Sequence, residues 1–458
     1  MFSDRTDRLA DNSPLMGYGA AVTPGREGPL VFVAGHGEAN RLLRFEDGHL
    51  VDHSCGVLAD TSRQAIGVAA ADMDADGLEE VYFHNTDSYD GRTDTTDLLL
   101  DRIDHEGRTV WCDIFGEAPN VDRGNQYAGR SVAAVDRLGT GRYGMAIASY
   151  GAALRYYELG DDREITDMAD VVGLECDCYC RSLVAAPLVS ASMDLFVGTD
   201  DGPNRLFRND DGHFVEVAAE RGIDDTSCDC RGAVVVDDGE TFGIATVGWK
   251  SRNCLFRRDG SQFRDIAPTA FAEPTTARTL LAADFDNDGR QELFVNALDE
   301  PNRLFGRRDG SWQQLDVGEA LEPEGCGTGA VVVDLEGDGR LELLVVHGED
   351  EAQPLSLYTV ETDNSWLRVK PTTQYGAPAR GAVVILETDQ GRQRRVVDAA
   401  SGYLCQSEPV AHVGLGGQTT ARQEPRSLTV RWPDGRETRI EKPASETVHE
   451  VPHPSRSS

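Results

Sequence analysis

A short acidic loop recurs in phase with a period near fifty residues, and this combination restricts the fold more than any other feature of the chain. The copies are Asp72-Met-Asp74-Ala-Asp76-Gly77, Asp284-Phe-Asp286-Asn-Asp288-Gly289 and Asp334-Leu-Glu336-Gly-Asp338-Gly339. Each follows a small-apolar run (Val68 to Ala71, Leu280 to Ala283, Ala330 to Val333) and precedes a strand-like run that opens with an acid, at Glu80, Glu292 and Glu342. The unit therefore reads strand, loop, strand. Carboxylates at loop positions one, three and five, a glycine at six and an acid at nine can wrap oxygen ligands around a hard cation such as calcium. An EF-hand is excluded, because position twelve is Phe83, Val295 or Val345, none of which can ligate.

Anchoring on the residue that opens the loop gives Thr23, Asp72, Asp136, Pro187, Asp237, Asp284 and Asp334, with successive spacings of 49, 64, 51, 50, 47 and 50 residues. The long spacing is accounted for by an insertion around Ser88 to Thr96. A strand-rich period of this length marks a radial unit, and seven anchors predict a seven-bladed β-propeller. Asn204, Asn253 and Asn302 open a third strand in their units, with Asn40 as a weaker relative. Each such strand runs on to Asp47-Gly48, Asp211-Gly212, Asp259-Gly260 or Asp309-Gly310, pairs that favour a tight hairpin because its turn needs positive φ. An aromatic then opens a fourth strand at Phe214, Phe263 and Trp312. The seventh unit lacks its own outer strand after Tyr358, so residues near 2–6 are expected to complete it and remove an open edge.

The formal charge is −35, and only three of the 44 basic residues are lysine: Lys250, Lys370 and Lys442. Such a surface is expected of a protein that stays soluble in concentrated salt, from a salt-adapted source, and it disfavours nucleic acid and anionic membranes as partners. No apolar run approaches the length needed to span a bilayer, so no membrane insertion is expected. The start of the chain has neither a basic nor an apolar leader segment, which gives a cytoplasmic expectation.

Taken together, the acidic loops, the strands that follow them and segments such as Asn204-Arg-Leu-Phe207 resemble FG-GAP (VCBS-type) repeats, as in integrin α-subunit heads. The tail resembles an ASPIC/UnbV domain on Asn364-Ser-Trp-Leu-Arg-Val369, Gly381-Ala-Val-Val384, Gly402-Tyr-Leu-Cys-Gln-Ser407, His412-Val-Gly-Leu-Gly416 and Val430-Arg-Trp-Pro-Asp-Gly435. The combination is similar to the CRTAC1-like proteins. This resemblance implies an all-β chain: a propeller over 1–363 and a small β-rich domain over 364–458. Relatives of this kind are often secreted, which stands against the cytoplasmic expectation.

The expected cation ligands are Asp72, Asp74, Asp76 and Glu80; Asp284, Asp286, Asp288 and Glu292; and Asp334, Glu336, Asp338 and Glu342, with backbone carbonyls from Leu78, Arg290 and Arg340. The role of calcium there is structural, since a loop with several like charges repels itself open without a counter-ion. The turns at Asp136 and Asp237 have lost most of these oxygens and are expected to be metal-free. Six residues before the anchor, Arg130, Arg181, Arg231 and Arg278 fall at equivalent positions in units three to six. They are expected at the channel mouth opposite the cation loops, either as an anion site or, the favoured reading, as structural ion pairs. Beside two of them, Cys178-Tyr-Cys180 and Cys228-Asp-Cys230 repeat one element, with Cys176 upstream, and four or five sulfurs are expected to cluster. Disulfides or free thiols rank above zinc for that cluster. No His-Glu-x-x-His, Gly-x-Ser-x-Gly or Walker pattern occurs. The functional expectation is therefore a non-catalytic, calcium-binding module for a protein or glycan partner. The alternative is an enzyme that uses the arginines at the channel mouth.

Overall fold

In a computed structural model, residues 1–105, 108–417 and 420–456 are described. Seven four-stranded sheets succeed one another along the first part of the chain. Their innermost strands are Gly17–Pro24, Ala65–Ala71, Gly129–Val135, Cys180–Ala186, Cys230–Asp237, Ala277–Ala283 and Gly327–Val333. Each inner strand contacts the next and the last contacts the first, so the sheets close into a ring. An inner strand is sandwiched between two neighbouring sheets, so both of its faces are dry. Small-apolar runs such as Ala65–Ala71 are accordingly buried from end to end.

The local rules read from the sequence operate in the blades. Asn40, Asn204, Asn253 and Asn302 each accept, at 2.9–3.1 Å, the backbone N–H of the residue five positions earlier (Gly35, Thr199, Gly248, Ala297), which fixes the turn into the third strand. At three of the four hairpins, Asp47, Asp211 and Asp309 take φ of 50–52° and their glycines 80–89°, as a tight turn requires. The fifth blade differs: Asp259 pairs with Gln262, so the turn residues there are Gly260 and Ser261 rather than Asp259 and Gly260. Ser3–Asp4 pairs antiparallel with Ser356–Thr359 and completes the seventh sheet. Phe2 anchors this strand by edge-to-face contacts with Phe285 at 4.9 Å and Phe294 at 5.8 Å.

From Ser365 the chain builds a four-stranded sheet and a three-stranded one, the latter with Ser365–Thr372 parallel to Val448–Pro452. Leu367, Val384, Leu386, Val413, Leu428 and Trp432 form their shared core. Among the described residues, no helix is long and apolar enough to cross a membrane.

The tail also enters the ring. Residues 399–408 run through the central channel and bond to inner strands on opposite sides of it. Val22, Val68, Ala134 and Ala233 donate their backbone N–H groups to the carbonyls of Gln406, Leu404, Ala399 and Gly402 at 2.9–3.1 Å. The Gln406 side chain bridges both backbone groups of Ala70, at 2.8 and 3.1 Å. Thr279 and Ser131 accept from the N–H groups of Tyr403 and Leu404 at 2.8 and 3.0 Å. Ser407 donates its N–H to Asp398 and its hydroxyl accepts from Val332 at 3.2 Å. Inner strands have an unpaired edge facing the channel, and this segment supplies partners for it. Gly402 is required there: its φ is +69°, and a Cβ would lie 2.1 Å from the Thr279 hydroxyl and 3.0 Å from the Leu280 carbonyl.

Candidate functional site

The acidic loops lie at the ends of their inner strands, facing the tail domain. The first residue of each loop serves the turn itself. Asp72 accepts from Ala75 and Gly77 at 2.8 and 3.1 Å, Asp334 from Gly337 and Gly339 at 2.7 and 3.0 Å, and Asp136, in a turn without the full ligand set, from Thr140 and Gly141 at 2.9 and 2.6 Å. The ninth residue bonds back to the second, since Glu80, Glu292 and Glu342 accept from Met73, Phe285 and Leu335 at 2.6–3.1 Å.

The loops differ in how far they converge. In the first, Asp72, Asp74 and Glu80 place one oxygen each within 4.8 Å of one another, and in the second Asp284, Asp286 and Glu292 do the same. The other oxygen of Glu80 and that of Glu292 are buried without a hydrogen-bond partner. Burial and the neighbouring carboxylates push both groups well above the usual carboxylate range. A hard cation fits these two loops: it would occupy the orphaned oxygens and relieve the repulsion. The third loop is arranged differently. Asp334 pairs with Arg368 at 2.9 Å and Glu336 with Arg8 at 2.8 Å, and among the described residues the carboxylates of this loop are not gathered as those of the other two are, nor is a buried oxygen of Glu342 left without a partner. Asp76 and Asp288 bond to the N–H groups of Leu78 and Arg290 at 2.7 and 2.9 Å, and Asp338 to that of Arg340 at 2.9 Å.

Sequence reasoning missed the arginines that attend these loops. Arg308, on the third strand of the sixth blade, lies 3.1 Å from Asp286, 3.3 Å from Asp288 and 3.6 Å from Glu292. Arg163 reaches Asp74 at 3.5 Å and Asp101 at 2.8 Å. From the tail, Arg395 reaches Asp237 at 3.1 Å and Asp284 at 3.4 Å, while Arg368 also pairs with Glu408. Arg380 donates to both oxygens of Glu79, at 2.6 and 3.1 Å. The tail therefore docks on the loop face through three buried arginines. Their partners lie far away in sequence, and no local spacing announces them.

The opposite end of the channel carries the predicted arginines, and a backbone irregularity puts them there. All seven inner strands shift register against their neighbours near their start: between Gly17 and Ala20, Ala65 and Gly67, Gly129 and Val132, Cys180 and Ser182, Cys230 and Gly232, Ala277 and Thr279, and Gly327 and Gly329. A β-bulge of this kind re-aims one side chain out of the pleat. The re-aimed residues are Tyr18, Ile66, Arg130, Arg181, Arg231, Arg278 and Thr328, and all seven line one cavity of about 480 Å³. The residue after each is small. A Cβ on Gly67 would lie 2.2 Å from the Arg130 carbonyl of the next blade, so the close approach of inner strands requires glycine there.

Three of the four arginines have acidic partners. Arg181 pairs with Asp200 at 2.5 Å, Arg231 with Asp229 at 3.1 Å, and Arg278 with Glu349. Arg130 meets no carboxylate among the described residues. It donates to the Tyr89 carbonyl at 2.9 Å, to Thr86 at 3.1 Å and to the Gly129 carbonyl. Burial, and then the repulsion of Arg181 and Arg231, push its guanidinium down to about 10, so it remains charged at neutral pH. Aromatic rings line the arginines: Arg181 lies 4.0 Å and Arg130 4.6 Å from the Tyr150 centroid, and Arg278 lies 4.3 Å from that of Trp249. The floor is Tyr403 of the tail, which accepts from Arg181 at 3.3 Å. Burial raises the Tyr403 phenol, but the four arginines outweigh it and hold the group below the ordinary tyrosine range.

The sulfur cluster takes another form. Cys178 and Cys180 are joined to each other by a disulfide, Cys176 Sγ lies 3.0 Å from Cys178 Sγ, and Cys228 and Cys230 are free. The expected gathering of both elements does not occur, because Asp177–Cys178 pairs with Ala152–Ala153 and is drawn towards the third blade. Cys230 instead contacts the Ser182 hydroxyl at 3.4 Å.

Comparison with known proteins places these features in context. A family model described as ASPIC and UnbV matches residues 372–458, and one described as an FG-GAP-like repeat matches residues 244–295. Cartilage acidic protein 1 of Xenopus tropicalis is 39% identical over 488 residues, covering 95% of this chain and 74% of that protein. The Mus musculus and Homo sapiens proteins of the same name are each 39% identical over 478 residues, covering 93% of this chain and 72% and 70% of theirs. Among solved structures, the crystal structure of BBS1N in complex with ARL6DN, soaked with mercury, aligns over 77% of this chain and 96% of that one, with a TM-score of 0.45 and 10% identity.

Proposed function

Since this chain belongs to the cartilage acidic protein 1 family, we propose that it is a non-catalytic, calcium-stabilised propeller that serves as a binding module for a protein or glycan partner. The observation that carries the calcium reading is the pair of orphaned, buried oxygens on Glu80 and Glu292, each beside two further carboxylates of its loop. Asp72, Asp74 and Glu80 would hold one ion, and Asp284, Asp286 and Glu292 another, with Asp76, Asp288 and the carbonyls of Leu78 and Arg290 completing the shells. The third loop, whose carboxylates are not gathered in this way and whose Glu342 keeps no orphaned buried oxygen among the described residues, is not included. The ions act as staples: they relieve repulsion in loops against which the tail docks. The relatives are named for cartilage and acidity rather than for a reaction, which weighs towards binding over catalysis.

Calcium titration by calorimetry tests this reading. Two sites are expected in the wild type, one site in Asp286→Ala, and a chelator should lower the melting temperature at fixed ionic strength because the ligand binds only the folded state. A wild type that gives no calcium isotherm and melts identically with and without chelator would remove the cation from the account.

A further inference from the structure

From the cup at the channel mouth we infer a binding site for a small hydroxylated organic oxyanion: a carboxylate or phosphate group borne on a polar body, such as a sugar acid or sugar phosphate. The inference is independent of the calcium reading, because the cup opens at the starts of the inner strands and the acidic loops lie at their ends. These ends are about 20 Å apart for strands of this length.

Four observations converge on it. First, the chain is acidic overall, with a formal charge of −35, yet four guanidinium groups are aimed into one cavity by bulges in consecutive blades. Second, the acids facing them are fewer than the cations. Asp200, Asp229 and Glu349 face Arg181, Arg231 and Arg278 in turn, which leaves Arg130 without a carboxylate among the described residues. Glu349 and Asp87 are the only acids in the lining itself among the described residues. Asp87, moreover, turns its oxygens to Thr95 and the Asp94 N–H rather than to an arginine.

Third, Arg130 is buried to 3% exposure with no carboxylate partner among the described residues, and its Nε, like those of Arg231 and Arg278, has no acceptor. A buried charge without a counter-ion is costly, and an anion in the cup would supply one. Fourth, the channel does not continue past Tyr403, so the cup has a floor and one mouth. Its volume of about 480 Å³ is that of a small-molecule pocket rather than of a single ion. Gln64, His36 and Tyr18 add uncharged hydrogen-bonding groups to the wall, which suit hydroxyls. Tyr89, 71% exposed, stands at the rim. It belongs to the insertion that lengthens the second repeat, and its carbonyl holds Arg130.

The test is calorimetric titration of the full chain, at the lowest ionic strength it tolerates, with D-glucuronate, glucose 6-phosphate, glucose and inorganic phosphate. We expect a saturable single-site isotherm for at least one sugar anion, none for glucose, and weaker binding of inorganic phosphate. Arg130→Gln should weaken the sugar anion by about tenfold or more, the loss of one charge-assisted contact, without lowering the melting temperature. Glucuronate binding alone would assign the carboxylate form and glucose 6-phosphate alone the phosphate form. If Arg130→Gln fails to fold, the wild type still decides: the indole resonance of Trp249 should shift and saturate with the binding anion. No isotherm and no Trp249 shift, equal binding of glucose, phosphate binding as tight as that of the sugar anions, or a folded Arg130→Gln of unchanged affinity would each overturn the proposal.

Discussion

Arg380→Ala is expected to cost the molecule about 3–5 kcal/mol, because it breaks a buried ion pair on one side only. The side chains of Arg380 and Glu79 are 0% and 1% exposed, and two hydrogen bonds of 2.6 and 3.1 Å join them. The guanidinium also donates to the carbonyls of Asp398 and Val22 at 2.7 and 2.8 Å, so one side chain ties the tail to the loop after the second inner strand and to the first inner strand itself. Truncation leaves the Glu79 carboxylate in a dry site without its partner and strips the carbonyls of Asp398 and Val22 of their donor. Adding Glu79→Gln to Arg380→Met should recover most of the loss, since removing both charges is close to neutral for a well-packed pair. Denaturant unfolding followed by two probes measures this. The single variant should shift the midpoint and separate the tail transition from that of the propeller, whereas the double variant should restore coincidence. An Arg380→Ala protein that loses less than about 1 kcal/mol and still unfolds in one step would refute the claim that this pair couples the two parts.

Three further outcomes follow from the same reasoning. Phe2→Ala should cost about 3–5 kcal/mol and promote association, because it empties the contact with Phe285 and Phe294 and frees the edge that Ser3–Asp4 covers; light scattering and melting would show an unaltered monomer if the clasp were dispensable. Gly402→Ala should expel the channel segment, since its φ of +69° and the contact with Thr279 leave no room for a methyl group, and faster proteolysis within 398–408 is the readout. Burial pushes Asp97 up to about 7 from 3.8 and His84 down to about 3 from 6.5. As pH falls from about 6.5 to 4, Asp97 favours the folded state and His84 disfavours it by the same proton, so the pair contributes no slope. Asp97→Asn removes the first of these, and its stability relative to wild type should then fall by about 1.4 kcal/mol per pH unit below 6.5; parallel pH profiles for the two proteins would refute the assignment.

The repeat was legible because its causes are local. Tight turns demand Asp-Gly pairs, a strand buried on both faces demands a small-apolar run, and a turn around a carboxylate demands the Asp at its start, so the period, the all-β class and the strand from Ser3 to Asp4 could all be read along the chain. The acidic loops were visible for the same reason, as was the equivalence of Arg130, Arg181, Arg231 and Arg278. What those residues do depends on groups brought from elsewhere. Arg368 neutralises Asp334, and Arg308 sits among Asp286, Asp288 and Glu292, so loops of like spacing differ in what surrounds them. Cys178 is bonded to Cys180 while Cys228 and Cys230 stay free, and a two-residue strand pairs Cys178 with the third blade. Gly402-Tyr-Leu-Cys-Gln-Ser407 stood out as a motif, but its role as the channel segment appears only once seven inner strands leave an unpaired edge for it. The arginine cup likewise needs the bulges, the closed ring and the Tyr403 floor together. Spacing along a chain records bonds between near neighbours; charge compensation and channel closure are settled by residues tens to hundreds of positions apart, and only the tertiary structure sets those distances.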